Sequence, residues 1–308
     1  MAFLQPALTR IQFDNLTLVA SALVLGSSFN LTSISLMWLK EKCVSTLSYF
    51  FNDAGIRISE LQQLYAKNVL STYSLQGGYF IIDDTMEHHT ALCKCIHGVC
   101  VLFDHALKTN LKAVCIVVLY YSDGIVIKFP VSFRIYYKEG GSGMPWQRGK
   151  KITWRTKYEL ALDMIKWALD AGFPKGIVLA DSWYGIAPFV KEVKKLNLSY
   201  VLEIKSKGLP QYFESLPCGV KCGFRYNVEK GKKDKVLYNT KIATVKLSSL
   251  ETQRVIQSID PTKETTKYLI TNELTWEAAK IISAYSNRWV IEEFFRNAKQ
   301  LLDMEGAT

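Results

Sequence analysis

Apolar residues recur at helical spacing through the first seventy-odd positions, in Phe13 to Leu25 closed by Gly26, in Ser33 to Lys42 and in Ile58 to Leu70, and strand signals are scarce there. Within Ser45 to Lys67 the apolar positions Leu47, Phe50 and Phe51, then Ile58, Leu61 and Leu64, flank a turn at Asn52 to Gly55. That pattern fits a helix-turn-helix and a plain helical bundle equally well. After Gly77-Gly78 the texture changes. Tyr79 to Ile82 predicts a short buried strand ending on Asp83-Asp84-Thr85, and Ala113 to Tyr121 with Gly124 to Tyr137 predicts a hairpin about Ser122-Asp123-Gly124. Thr156 to Ala171 reads as a helix stopped by Gly172, and Gly176 to Ala180 as a strand covered on both faces that delivers Asp181-Ser182-Trp183-Tyr184-Gly185. Short alternating runs then fill Ile204 to Lys267, Tyr268 to Thr271 predicts a strand, and Thr275 is the expected cap of the final helix.

The most informative periodicity lies in Ala284 to Gln300, AYSNRWVIEEFFRNAKQ. At about 100° per residue, one helix would set Tyr285, Arg288, Glu292 and Lys299 on a single polar stripe, with Val290, Phe294, Ala298 and Leu301 opposite. One carboxylate among three phosphate-friendly groups is unusual, although Arg288 and Glu292 also make an ordinary i,i+4 pair.

The spacing Tyr285-x2-Arg288-x3-Glu292-x6-Lys299 resembles the Tyr-Arg-Glu-Lys motif of bacterial insertion-sequence transposases of the DDE class, in the cut-and-paste branch called family four. The resemblance implies an α/β fold: a ribonuclease-H-like mixed sheet flanked by helices, with an N-terminal helical region and a β-rich insertion. It divides the chain into an N-terminal helical DNA-binding region (1–75), a first catalytic-core part (76–204), the insertion (205–265) and a last core part (266–308), whose short extent after Lys299 suggests a truncated C-terminus. Two aspartates at strand ends should accompany Glu292. The resemblance carries those roles to Asp83, with Asp84 as the fallback, and to Asp181 in a motif similar to the family's second.

Such chemistry has a physical logic. In-line displacement at phosphorus builds charge on the attacking and leaving oxygens, which two Mg²⁺ ions can neutralise, with Mn²⁺ able to substitute. Hard ions prefer carboxylate oxygens, so Asp83, Asp181 and Glu292 are the expected metal ligands and catalytic residues. Tyr285, Arg288 and Lys299 are the expected DNA-binding groups, gripping phosphates beside the cut. The implied partners are double-stranded DNA, as transposon ends and target, and a second copy of the chain in a homodimeric synaptic complex, with no membrane.

Charge and composition agree with a polyanionic partner. The chain of 308 residues carries a net charge of +10. Basic residues concentrate in Lys138 to Lys157, interleaved with Trp146 and Trp154, a composition suited to a nucleic-acid groove. From Lys205 to Lys241 nine Lys/Arg stand against three Asp/Glu, so the insertion is basic too. Seven irregularly spaced cysteines fit a reduced cytoplasm, and the apolar run Leu16 to Leu25 is too short to span a bilayer. His88, His89, Cys93, Cys95, His97 and Cys100 cluster, but their spacing matches no common zinc knuckle. Two alternatives share these features: a ribonuclease-H-fold nuclease without strand transfer, and a truncated, inactive remnant that only binds DNA.

Overall fold

The computed structural model describes residues 1–25, 30–36, 42–52, 55–89, 98–105, 107–138, 146–147, 150–151, 153–227, 232–262 and 264–301. Four helices come first: α1 (Arg10–Val24), α2 (Leu31–Leu36), α3 (Val44–Asn52) and α4 (Ile58–Thr72). Strands β1 (Tyr79–His89), β2 (Cys100–Asp104), β3 (Thr109–Ser122) and β4 (Lys128–Tyr136) follow, then the two-residue β5 (Trp146–Gln147) and β6 (Lys150–Lys151). Next come α5 (Lys157–Asp170), β7 (Ile177–Ala180), α6 (Ala187–Lys195) and β8 (Tyr200–Ile204). The chain continues through β9 (Gly219–Asn227), β10 (Lys232–Lys246), β11 (Thr252–Asp260) and β12 (Thr265–Thr271) to α7 (Ala278–Ser286) and α8 (Trp289–Leu301).

Ten strands form one mixed sheet in the order β2-β3-β1-β7-β8-β12-β11-β10-β9, with β4 also on β3. β1, β7 and β8 are mutually parallel and every other pairing is antiparallel. This is an α/β architecture with helices on both faces, consistent with the ribonuclease-H-like expectation. Within the segment expected as the β-rich insertion lie β9, β10 and β11, and they continue the sheet outward from β12, which pairs with β8.

Strand alternation sorts the side chains between two cores. Phe80, Ile82, Val178, Ala180, Tyr200, Leu202 and Ile270 pack with α5, α6 and the buried Ala66 and Val69 of α4. Ile81, Leu179, Val201 and Leu269, their neighbours in sequence, pack with Ile281, Tyr285, Val290 and Ile291 of α7 and α8. A third cluster joins Leu18, Val19 and Ala22 to Ile34, Leu47 and Phe50, so α3 belongs with α1 and α2 while α4 belongs with the sheet. The suspected helix-turn-helix partners therefore lie in different cores.

Several local expectations need correction. β1 does not stop at Asp83 but runs on to His89, because β3 keeps pairing with it over its whole length; Asp83 marks instead the level at which the shorter β7 ends. The hairpin turn is longer than expected, since Asp123 Oδ1 accepts from the amides of Ile125, Val126 and Ile127. Glu277, not Thr275, stands at the N-cap of α7. The stretch after Ala284 is not one helix: Ser286 Oγ donates to the carbonyls of Ile282 and Ser283, and Asn287 Nδ2 to those of Ser283 and Ala284, which ends α7 before α8 starts at Trp289. Leu301, expected on the apolar face, is exposed. Residues 91–97 of the His/Cys cluster, and most of the basic loop 139–152 with the Trp146 side chain, lie outside the described residues.

Candidate active site

The pairs Ile82 with Ala180 and Ala180 with Leu202 put Asp83, Asp181 and Glu203 each one position further along three adjacent parallel strands. Each lies two residues past a side chain of the α7/α8 core, so all three carboxylates leave the same face at one level. Asp84, one residue on, leaves by the other face. There its carboxylate accepts from Lys157 Nζ at 2.7 Å and from the buried Tyr184 hydroxyl at 3.1 Å. The two candidates for the first aspartate thus lie on opposite faces: Asp84 pairs with Lys157 on the α5/α6 side, and Asp83 faces Arg288, which also holds Glu292.

Arg288, at the junction of α7 and α8, spans two of the expected ligands. Its NH1 donates to Asp83 Oδ2 at 2.7 Å and its NH2 to Glu292 Oε1 at 2.5 Å. Burial opposes the guanidinium charge, yet Tyr285, Asp83 and Glu292 outweigh it and hold its pKa above the ordinary arginine value. Its buried Nε has no acceptor among the described residues. Burial pushes the Asp83 carboxyl up to about 7, against the pull of Arg288 and helped by the nearby Asp181 charge. Asp181 and Glu292 are also raised, both by burial first, and each feels the other acids of the site: Asp181 senses Asp84 and Glu203, and Glu292 senses Asp181.

The structure thus brings Asp83, Asp181, Glu292 and Arg288 into one electrostatic unit. The remaining two expected residues are placed differently. Tyr285 is buried, and its hydroxyl donates to Glu203 Oε2 at 2.8 Å, where Lys267 Nζ also binds at 2.6 Å. Lys299 donates to the Met86 carbonyl at 2.9 Å, three residues along β1 from Asp83.

The five residues after β7 divide their work. Asp181 Oδ1 accepts from the Trp183 amide at 3.0 Å, fixing the turn, and α6 begins later with Ile186 at its N-cap. Trp183 is exposed, Tyr184 is buried on Asp84, and Gly185 lies so close to Glu203 that a Cβ would meet its carbonyl oxygen at 2.0 Å. Glu203 itself was not among the expected residues. Its signal was present: the apolar run Tyr200-Val201-Leu202 follows one helix after Asp181, so the next acid had to emerge at the same sheet edge.

Among the described residues, no three His, Cys, Asp or Glu side chains are gathered in ready metal-binding geometry. The donor set nevertheless suits a hard divalent cation: carboxylate oxygens, shielded from water, with proton affinities raised first by burial and then by the neighbouring acids. No helix among the described residues is long and apolar enough to cross a membrane.

Comparison with known proteins gives two family matches. Residues 5–209 match the model described as DDE superfamily endonuclease, and residues 155–305 match the transposase DDE domain. A stretch of 91 residues is 37% identical to a probable transposase for insertion sequence element IS701 from Microchaete diplosiphon. It covers 29% of this chain and 22% of that relative, so the chain matches well under two thirds of the relative's length.

Proposed function

Because the chain belongs to the DDE superfamily of endonucleases, we propose that it is an insertion-sequence transposase that cleaves DNA and transfers the freed strand by a cut-and-paste route. The observation that carries this reading is the shared level of Asp83 and Asp181 on adjacent parallel strands, facing Glu292 across Arg288. The finer assignment to the family-four branch rests on the spacing of Tyr285, Arg288, Glu292 and Lys299.

Asp83, Asp181 and Glu292 would hold Mg²⁺ or Mn²⁺, which when bound supplies charge neutralisation at the phosphate and a water of lowered pKa. The protein's own groups have distinct tasks. The sheet fixes the backbone of both aspartates, so little reorganisation is needed to present their oxygens. Arg288 is held by two carboxylates through separate nitrogens, and its Nε has no acceptor among the described residues, so the guanidinium would stand beside the carboxylates as a fixed positive group for a phosphate oxygen. Lys299 and Lys267 add positive charge along the same edge, and Glu203 orients Tyr285. The partners are double-stranded DNA and, for pairing of two ends, a second copy of the chain.

The test uses plasmid nicking with Mg²⁺, and strand transfer of a pre-cut end taken from the element's own flank. Asp83→Asn, Asp181→Asn and Glu292→Gln should each lower both reactions by at least about a hundredfold without loss of fold. Cleavage that survives these changes, or that ignores chelation, would defeat the reading. Nicking without strand transfer would instead support a nuclease of the same fold, and DNA binding without either reaction an inactive remnant.

A further inference from the structure

A cavity of about 1230 Å³ opens on the α5/α6 side of the strand ends, beyond the turn that follows Asp181. Lys157, Lys191, Lys205, Lys207 and Lys246 line it, and the one carboxylate among its lining residues, Glu251, is already paired with Lys194. Lys191, Lys205, Lys207 and Lys246 are exposed and have no carboxylate partner among the described residues. At its mouth stands Trp183, 49% exposed, with its ring 5.2 Å from Lys157 Nζ and 6.1 Å from the His105 ring. In the same turn Asp181 accepts the Trp183 amide, Tyr184 is buried on Asp84 and Gly185 is crowded by Glu203, whereas the Trp183 side chain is exposed.

We propose that this groove receives an unpaired DNA strand, with one base stacked on Trp183 and the following phosphates on Lys205 and Lys207. Charge complementarity selects a polyanion. The exposed indole selects an unpaired one, since bases inside a duplex offer no free face, whereas a single strand can alternate stacking with phosphate contacts. The cavity exceeds the usual volume of a small-ligand pocket, as a chain-like occupant requires. The hydrogen bond from the Trp183 amide to Asp181 places the stacking platform in fixed relation to the candidate active site. A strand separated from its complement at the cut would thereby be led away from the carboxylates over the far face of the sheet. This rests on the DNA-processing function proposed above and adds the form of the substrate.

The experiment measures fluorescence anisotropy of a labelled thymidine oligonucleotide of about fifteen bases and of a blunt duplex of equal length, without divalent cation. Trp183→Ala should weaken single-strand binding about tenfold and duplex binding less than about twofold, while Trp183→Phe should retain most single-strand affinity. Joint Lys205→Ala and Lys207→Ala substitution should flatten the salt dependence of single-strand binding by about one to two units of log–log slope. Equal losses for both probes, or no loss with Trp183→Ala in a protein whose circular dichroism is unchanged, would overturn the proposal. Unchanged binding with metal-dependent cleavage still abolished by Asp83→Asn would remove the groove and leave the transposase reading standing. The reverse pattern would remove that reading alone.

Discussion

Asp83 and Asp84 are adjacent in sequence but face opposite sides of the sheet with different partners, and their substitutions should separate. Asp84 and Lys157 form an ion pair in which both side chains are only 15% exposed, so Asp84→Asn leaves an uncompensated buried ammonium. It should destabilise the fold by about 3 kcal/mol, measured by urea unfolding. Asp83 has the opposite sign. Its folded pKa, pushed up to about 7, lies above the ordinary 3.8, so the folded chain binds the extra proton between those values. Stability from this group is complete below the ordinary aspartate range and is lost as pH rises through about 7. Asp83→Asn should therefore raise the melting temperature by a few degrees at pH 8, on the order of 1–2 kcal/mol, and leave it unchanged at pH 4. An equal effect at both pH values would contradict the assignment. The same proton competes with a divalent cation, so the Mg²⁺-induced rise in melting temperature of the unaltered protein should be larger at pH 8 than at pH 6. Sequence alone could bring both aspartates to one strand edge, but it could not choose between them until strand polarity set their faces.

At the scale of elements, continuous apolar runs make β1 and β7 legible and Gly172 marks the end of α5, whose start the structure fixes by a capping box between Thr156 and Glu159. Lengths were less legible because they depend on partners far away in sequence: β1 continues past Asp83 only because β3 is long enough to hold it. The break between α7 and α8 was written locally, in Ser286-Asn287, but helical periodicity outweighed it in the reading. That break matters to the site, because it brings Arg288 between Asp83 and Glu292 while Tyr285 turns to Glu203. Replacing Ser286 and Asn287 together by Ala removes the side-chain bonds that end α7 and favours one continuous helix. Far-ultraviolet circular dichroism should then be unchanged or slightly more helical. Nicking activity should fall by about tenfold or more, because a displaced guanidinium costs orientation at the phosphate. Retained activity with a continuous helix would show that the junction is only a connection.

Across the whole molecule, charge and packing are distributed unequally, and sequence reading anticipated only part of this. The β-rich character of the stretch after Ile204 is legible in its alternation, but nothing local in β9 to β11 says that they join the edge of the core sheet through β12. The N-terminal region was read as the DNA-binding part. Through Ile56 it holds three basic residues, Arg10, Lys40 and Lys42, against three acidic ones, Asp14, Glu41 and Asp53, so the net charge of +10 resides in the remainder. Its apolar cluster of α1, α2 and α3 is also separate from the two cores of the sheet. A variant beginning at Arg57 should therefore keep the main cooperative unfolding transition, because α4, which packs Ala66 and Val69 on the sheet core, is retained. Its affinity for random-sequence duplex should stay within about threefold of the full chain, with the same salt slope, since phosphate neutralisation comes from lysines and arginines elsewhere. Sequence preference for the element's own ends should disappear if α1 to α3 read bases. A collapse of non-specific affinity in the shortened protein would instead place the principal phosphate contacts on a region whose charge sums to zero, contrary to the distribution derived above.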